Sequence, residues 1–393
     1  MDRREFVAAM AALTAVPQAK AQTPEAPPPG TLPNELVKEE KAKAMQYHSE
    51  RPLTASVPAH EHDFDVTPND RMFVRNNLLT PAIDIHSHRL TLKGLVDKEL
   101  SFSVFDLAKQ FRTVSRQGML ECAGSGRAAY QPRASGTPWL ETGGMGCPVW
   151  GGVRLADVLR AAGLRPGAAH VAGQGGDPGM IPTAAPVIRS IPLSKAMEEN
   201  TLIAWSMNER PLPFVHGYPL RLVVPGWVGS ASTKWLHTLT VLDAPFKGTY
   251  MTSSYVVPRN PVAPGEKMPP DTLSAQAWPV KSITTSPAPN ARAKMGQPLT
   301  VRGRAWVGEG AIDRVEISTD EGKTWRNTAL GARRDKYAWR TFTHEYQPER
   351  AGYVTFLARA WDDAGNAQPA VPAWNPLGYF WNGWHRVGVV IEA

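Results

Sequence analysis

Short apolar runs separated by turns, with few amphipathic stretches of helical length, fill the chain between about residues 63 and 257. The run Leu90-Thr91-Leu92-Lys93-Gly94-Leu95-Val96 predicts a strand, and residues 104–111 predict a helix. A second helix is predicted over 152–162, with apolar residues at Val153, Leu155, Val158 and Leu159. Residues 220–224 are continuously apolar apart from Arg221, and Leu239-Thr240-Val241-Leu242 alternates, so both predict strands. The mixture predicts an α+β domain, placed at 61–265.

Beyond a proline-rich stretch at 258–270 the pattern changes. Residues 299–306, 315–317 and 353–361 alternate, and turn signals such as Asp320-Glu321-Gly322 and Asp363-Ala364-Gly365-Asn366 fall between them. Regularly spaced short strands without a convincing helix predict an all-β, immunoglobulin-like sandwich over 280–393. Ahead of both domains, residues 22–60 carry Pro24, Pro27, Pro28, Pro29 and Pro33 and predict a linker or a wrapping arm. Within it, 35–45 lacks proline and glycine and can form a turn or more of exposed helix.

The first 21 residues predict a signal peptide: Arg3-Arg4 with Phe6, an apolar run over 7–16, then Ala19-Lys20-Ala21 as a cleavage site. Paired arginines predict the twin-arginine route, which exports folded, cofactor-loaded proteins, and so a periplasmic location. The apolar run is too short to span a bilayer and no later stretch reaches about 18 apolar residues, so no membrane anchor is expected.

Composition changes this picture little. The 393 residues suffice for two domains with their own cores, and 36 prolines and 33 glycines without a repeat suit a loop-rich fold. The formal charge of +7 favours anions, yet no Lys/Arg block marks a nucleic-acid footprint. That leaves a solvated basic surface, or a local cationic funnel for a small oxyanion or an acidic protein.

The candidate chemistry centres on Cys122, in Leu120-Glu121-Cys122-Ala123-Gly124-Ser125-Gly126-Arg127. A thiolate beside a fixed cation suits a metal ligand or a nucleophile, since both need deprotonated sulfur. The other cysteine, Cys147, reads as a buried inert thiol; a Cys122–Cys147 bridge is the alternative and would abolish a metal site. Arg221 interrupts an apolar strand, which calls for a buried anionic partner, either a ligand or an internal carboxylate. Taken alone, His216 reads as a core histidine and Lys234 as a solvated charge.

The cysteine segment resembles the cysteine loop of the sulfite oxidase family of molybdenum enzymes, Cys-Ala-Gly-Asn followed shortly by arginine. Other stretches match in order: Phe73-Val74-Arg75-Asn76-Asn77, Trp150-Gly151-Gly152-Val153-Arg154, Ser190-Ile191-Pro192-Leu193, His216-Gly217-Tyr218-Pro219-Leu220-Arg221, Lys234-Trp235-Leu236, Trp374-Asn375-Pro376-Leu377-Gly378 and Trp384-His385-Arg386-Val387. The resemblance covers about residues 70–390 and is greatest to haem-free bacterial sulfite dehydrogenases. It implies molybdenum held by a pterin dithiolene and by Cys122. The implied pterin contacts are Phe73, Val74, Arg75, Asn76, Asn77, Asp177, His216, Arg221, Ser232, Thr233 and Lys234. It further implies Arg75 and Arg127 around the sulfite, oxidation of sulfite to sulfate with electrons leaving singly, and a homodimer made through the C-terminal domain. No haem-attachment Cys-x-x-Cys-His is present, so a separate c-type cytochrome is the expected acceptor.

The sequence departs from the family's pattern at several positions. Ser125 replaces the usual asparagine, Asn77 stands where histidine is common, and Leu377 stands where animal members carry arginine. Phe246 occupies the place of the active-site tyrosine before Lys247-Gly248. Tyr250 or Tyr255 would then supply the phenol, and the expectation falls on Tyr250. A sulfane dehydrogenase subunit of a thiosulfate-oxidising complex is the rival within the family; the Phe-Val-Arg-Asn motif favours sulfite. A methionine-sulfoxide reductase of related fold lacks the C-terminal β-domain. A cofactor-free binding module is the rival from outside, opposed by the joint presence of Cys122, Arg75, Arg127, Arg221 and Lys234.

Overall fold

The computed structural model describes residues 28–139 and 142–393. The expected signal peptide and the first residues of the arm lie outside the described residues.

Two five-strand assemblies build the first domain. One sheet runs in the order Ile188–Pro192, His170–Gly175, Leu236–Leu242, Leu90–Gly94, Leu100–Phe102. Its one parallel pair joins Leu236–Leu242 to Leu90–Gly94. The other sheet runs Arg210–Pro211, Leu202–Met207, Val149–Arg154, Thr113–Gln117, with Arg221–Val223 also paired to Leu202–Met207. Every residue of Leu202–Met207 is buried, as a central strand covered on both faces requires. Trp150, Trp205, Leu222, Leu236 and Leu239 belong to one apolar core shared by both sheets.

The helix expected over 104–111 forms as Val104–Gln110, started by a capping box in which Ser103 and Asp106 bond each other's backbone N–H. The helix expected over 152–162 is corrected at its start. Residues Val149–Arg154 form a strand and only Leu155–Ala162 are helical. The reason is tertiary: Gly152 lies so close to the neighbouring strand that a Cβ there would meet Ile203 O at 2.1 Å. A glycine at this contact lets the sheet close.

The arm wraps. Its strands Gln46–Glu50 and Leu53–Ser56 continue a sheet with Val74–Arg75, and Val37, Met45, Leu53, Ala55 and Val57 bury against Val74 and Val215. Residue 61 is therefore not a structural boundary. The helix expected over 35–45 is short, Asn34–Glu39.

The C-terminal domain is a sandwich of two sheets, one centred on Leu299–Trp306 and Arg340–Tyr346, the other on Ile312–Ser318, Gly352–Asp362 and His385–Glu392. Val301, Val315, Phe342, Phe356, Val387 and Val389 fill the space between them. It is bolted to the first domain by buried polar contacts. Glu121 and Lys281, both 0% exposed, form an ion pair of 2.6 Å, and Trp306 Nε1 donates to the same carboxylate at 2.8 Å. Asp63 accepts from Arg302 at 2.6 Å, and Phe380 N donates to Ala123 O at 3.0 Å. The segment 374–384 thus returns to the cysteine loop, which accounts for two sequence motifs so far from Cys122.

Candidate active site

The site forms where the cysteine loop, the 73–77 segment and the 216–234 segment meet. A small cavity of about 50 Å³ is lined by Phe73, Arg75, Asn77, Cys122, His216, Arg221, Ser230, Ser232, Lys234 and Tyr255, with Met72, Leu120 and Gly229. Cys122 ends the short strand Leu120–Glu121, its N–H donating to Gly144 O at 2.8 Å, and Ser125 N turns back onto its carbonyl at 2.8 Å. Both cysteines are free. Cys147 is buried in a separate apolar cluster with Met119 and Met145, where burial pushes its thiol up to about 12, so it is inert.

Burial also raises the Cys122 thiol, and the cations Arg75 and Arg127 and the Gly124 N–H pull it back. Arg127 is held from three sides: Nε donates to Leu377 O at 2.8 Å, Nη1 donates to Thr137 O at 3.2 Å, and the guanidinium lies 5.2 Å from the Tyr379 ring centroid. Gly124 makes room for it, since a Cβ there would stand 2.7 Å from Nη2. Arg127 acts on the sulfur through its field, from behind the cavity wall.

Cations converge on the same cavity. Arg221 Nη1 and Nη2 donate to His216 O at 2.9 Å and Ser232 O at 3.3 Å, and its guanidinium covers the Trp150 ring at 4.7 Å. Lys234 Nζ donates to Val215 O at 2.9 Å and also contacts Asn76 Oδ1. Burial pulls Arg221 down to about 9 and Lys234 well below its ordinary value. Among the described residues no carboxylate lies within ion-pairing distance of Arg221 or Lys234. Arg221 Nε and Ser230 Oγ are buried without an acceptor or donor. Such groups are costly unless a ligand satisfies them. The internal carboxylate that was the alternative for Arg221 is absent among the described residues.

Not every expected residue faces the cavity. In the extended segment 73–77 side chains alternate, so Phe73, Arg75 and Asn77 line the cavity while Val74 packs under the arm and Asn76 anchors Lys234 and Thr80 from behind. Thr233 turns to the Gly173 carbonyl at 3.4 Å. Asp177 stands near Lys234, off the cavity wall, and burial raises its carboxyl to about 6. The structure favours Tyr255 over the expected Tyr250: Tyr255 lines the cavity and its hydroxyl donates to Asn77 Oδ1 at 2.9 Å, whereas Tyr250 is not among the lining residues and packs beside Tyr255 with ring centroids 6.3 Å apart.

These observations agree with the comparisons. Residues 77–250 match the oxidoreductase molybdopterin binding domain, and 273–392 match the Mo-co oxidoreductase dimerisation domain. The chain is 31% identical to sulfite oxidase of Arabidopsis thaliana, over 87% of this chain and 91% of that protein. It is 35% identical to mitochondrial sulfite oxidase of Mus musculus, over 88% of this chain and 66% of that protein, so it spans about two thirds of that relative's length. The chain belongs to the sulfite oxidase family. Among solved structures it is similar to the sulfane dehydrogenase SoxCD of Paracoccus pantotrophus, 27% identical with a TM-score of 0.76, covering 97% of this chain and 98% of that one.

The family's cofactor, molybdenum bound to molybdopterin, fits the residues present. The cavity brings together a soft sulfur for the metal and, in Arg221, Lys234 and Ser230, unsatisfied donors and cations without a carboxylate partner that suit the pterin's phosphate. Cys122 would hold the metal; Arg221, Lys234, His216, Ser230 and Ser232 would hold the anionic end.

One contributor had no signal in the sequence. Lys41, from the arm, donates to Asn69 O at 2.9 Å and Met72 O at 3.1 Å and meets His216 Nε2 at 2.5 Å. Burial pulls the Lys41 amine down to about 7, and in its ammonium form it donates to His216 Nε2 as well as to the two carbonyls. Burial, with Lys41, Lys234 and Arg221 nearby, keeps that imidazole neutral. Lys41→Met is expected to weaken cofactor retention about 10- to 100-fold, as removal of a partner that orients a ligand does. Molybdenum and released pterin per chain, measured after prolonged dialysis, check this.

Proposed function

We propose that the chain is a periplasmic sulfite dehydrogenase that oxidises sulfite to sulfate and passes electrons singly to a separate c-type cytochrome. One observation carries the reading: a buried thiol flanked by Arg75 and Arg127, with Tyr255 and Asn77 completing the wall of a small cationic cavity. Oxidation of SO₃²⁻ takes one oxygen from water and releases two electrons and two protons. The molybdenum cofactor, when bound, supplies that two-electron oxygen-transfer chemistry.

The chain's own residues bind and orient. Arg75, on the cavity wall, attracts the dianion with forked donors suited to sulfur oxyanions, and Arg127 opposes its escape through its field from behind the wall. The Tyr255 hydroxyl, fixed by Asn77, is a hydrogen-bonding group at the cavity wall. The twin-arginine segment of the sequence supports the export reading, and the dimerisation-domain match over 273–392 supports a homodimer.

Tyr255→Phe is expected to lower kcat/KM for sulfite about 10- to 100-fold, the value of one hydrogen bond to a charged group. Tyr250→Phe should cost less than about threefold, as expected of a residue off the reacting surface. The decisive assay is sulfite-dependent reduction of cytochrome c or ferricyanide by protein of measured molybdenum content. The likeness to SoxCD favours a second reading, oxidation of a carrier-bound sulfane sulfur. Full metal content with no sulfite turnover would select it.

A further inference from the structure

Arg189 lies in the edge strand Ile188–Pro192, opposite Gly173, and is 2% exposed. Its Nη1 donates to Tyr250 O at 2.5 Å, and its Nη2 donates to Ser274 Oγ at 3.1 Å and Ala275 O at 2.9 Å. Those acceptors bracket the segment that ends in Tyr255, whose own carbonyl accepts from Ala275 N at 2.7 Å. Tyr255 needs such a bracket, because its φ of +56° is left-handed backbone that a side-chain-bearing residue seldom adopts.

The guanidinium also stands 5.1 Å from the Tyr255 ring centroid, and Tyr255 stacks on Tyr379 at 5.7 Å and 12°. Arg127 covers Tyr379 in turn, so two guanidinium groups frame a pair of stacked tyrosines of which Tyr255 lines the cavity. Among the described residues no carboxylate lies within ion-pairing distance of Arg189, and its Nε is buried without an acceptor. A buried, uncompensated cation is an expensive way to hold a loop that an asparagine or glutamine could hold by hydrogen bonds alone. Its charge therefore has a use at the site.

We propose that Arg189 is a positioning residue for the oxidation of the sulfur oxyanion: it fixes the strained Tyr255 segment and sets a positive charge behind the phenol. The proposal rests on the sulfite reading above.

The test is a double-mutant cycle on molybdenum-loaded protein, with turnover normalised to metal. R189M is expected to lower kcat/KM for sulfite about tenfold when Tyr255 is present and less than about twofold in the Y255F background. R189K is carried through the same cycle, so that a fold lost in R189M still leaves the coupling measurable. Losses of equal size in both backgrounds would overturn the role of Arg189 and leave the sulfite reading standing. Absence of sulfite turnover in the loaded wild-type protein would instead overturn the reading on which the proposal rests.

Discussion

Cys122→Ser lowers sulfite turnover at least about 1000-fold, roughly 4 kcal/mol of transition-state stabilisation, while the pterin stays bound. The argument has two parts. The cations and donors expected to grip the anionic end, Arg221, Lys234, His216 and Ser232, line the same cavity and are held by hydrogen bonds that do not involve residue 122, so retention should not depend on the sulfur. Redox chemistry at the metal does depend on it, because a hard alkoxide cannot share electron density as a thiolate does. Burial alone raises the thiol, and coordination reverses that by removing the proton outright. Steady-state turnover per molybdenum, with pterin measured after release, checks both parts.

Lys281→Met is expected to destabilise the protein by about 3–5 kcal/mol, since it strands the fully buried Glu121 carboxylate. Burial already raises that carboxyl, with Lys281 the main opposing influence. Lys281 Nζ also lies 5.3 to 5.7 Å from the rings of Trp278, Trp306 and Trp381, so nothing else charged can replace it. The double variant Glu121→Leu with Lys281→Met should recover most of the loss, because removing both charges removes the desolvation cost. Denaturant midpoints of wild type, single and double variants measure this. The ion pair joins the residue before Cys122 to the sandwich domain, so the single variant should also load less molybdenum.

Local signals were the legible part of the sequence. The helix Val104–Gln110 carries its own start in Ser103 and Asp106, and alternation in the C-terminal third is enough to define a sandwich. Motifs likewise led to Cys122, Arg75, Asn77, His216, Arg221, Ser232 and Lys234, all of which line one cavity. What was not legible depends on contacts distant in sequence. Residues 152–154 follow an apolar spacing that fits a helix, and only the approach of Ile203 makes them a strand. Lys41 reaches His216 across 175 positions, from a segment whose composition reads as linker. Choosing between Tyr250 and Tyr255 required the left-handed turn at Tyr255, which no propensity of tyrosine announces. Strand alternation in 73–77 already separates Phe73, Arg75 and Asn77, whose side chains line the cavity, from Val74 and Asn76, whose side chains do not.

The central claim is that the sulfur of Cys122 binds molybdenum in this cavity. X-ray absorption at the molybdenum edge, on wild-type protein and on Cys122→Ser with equal metal content, tests it directly. The account predicts one fewer sulfur neighbour around the metal in the variant. An identical sulfur shell in the two proteins would contradict it.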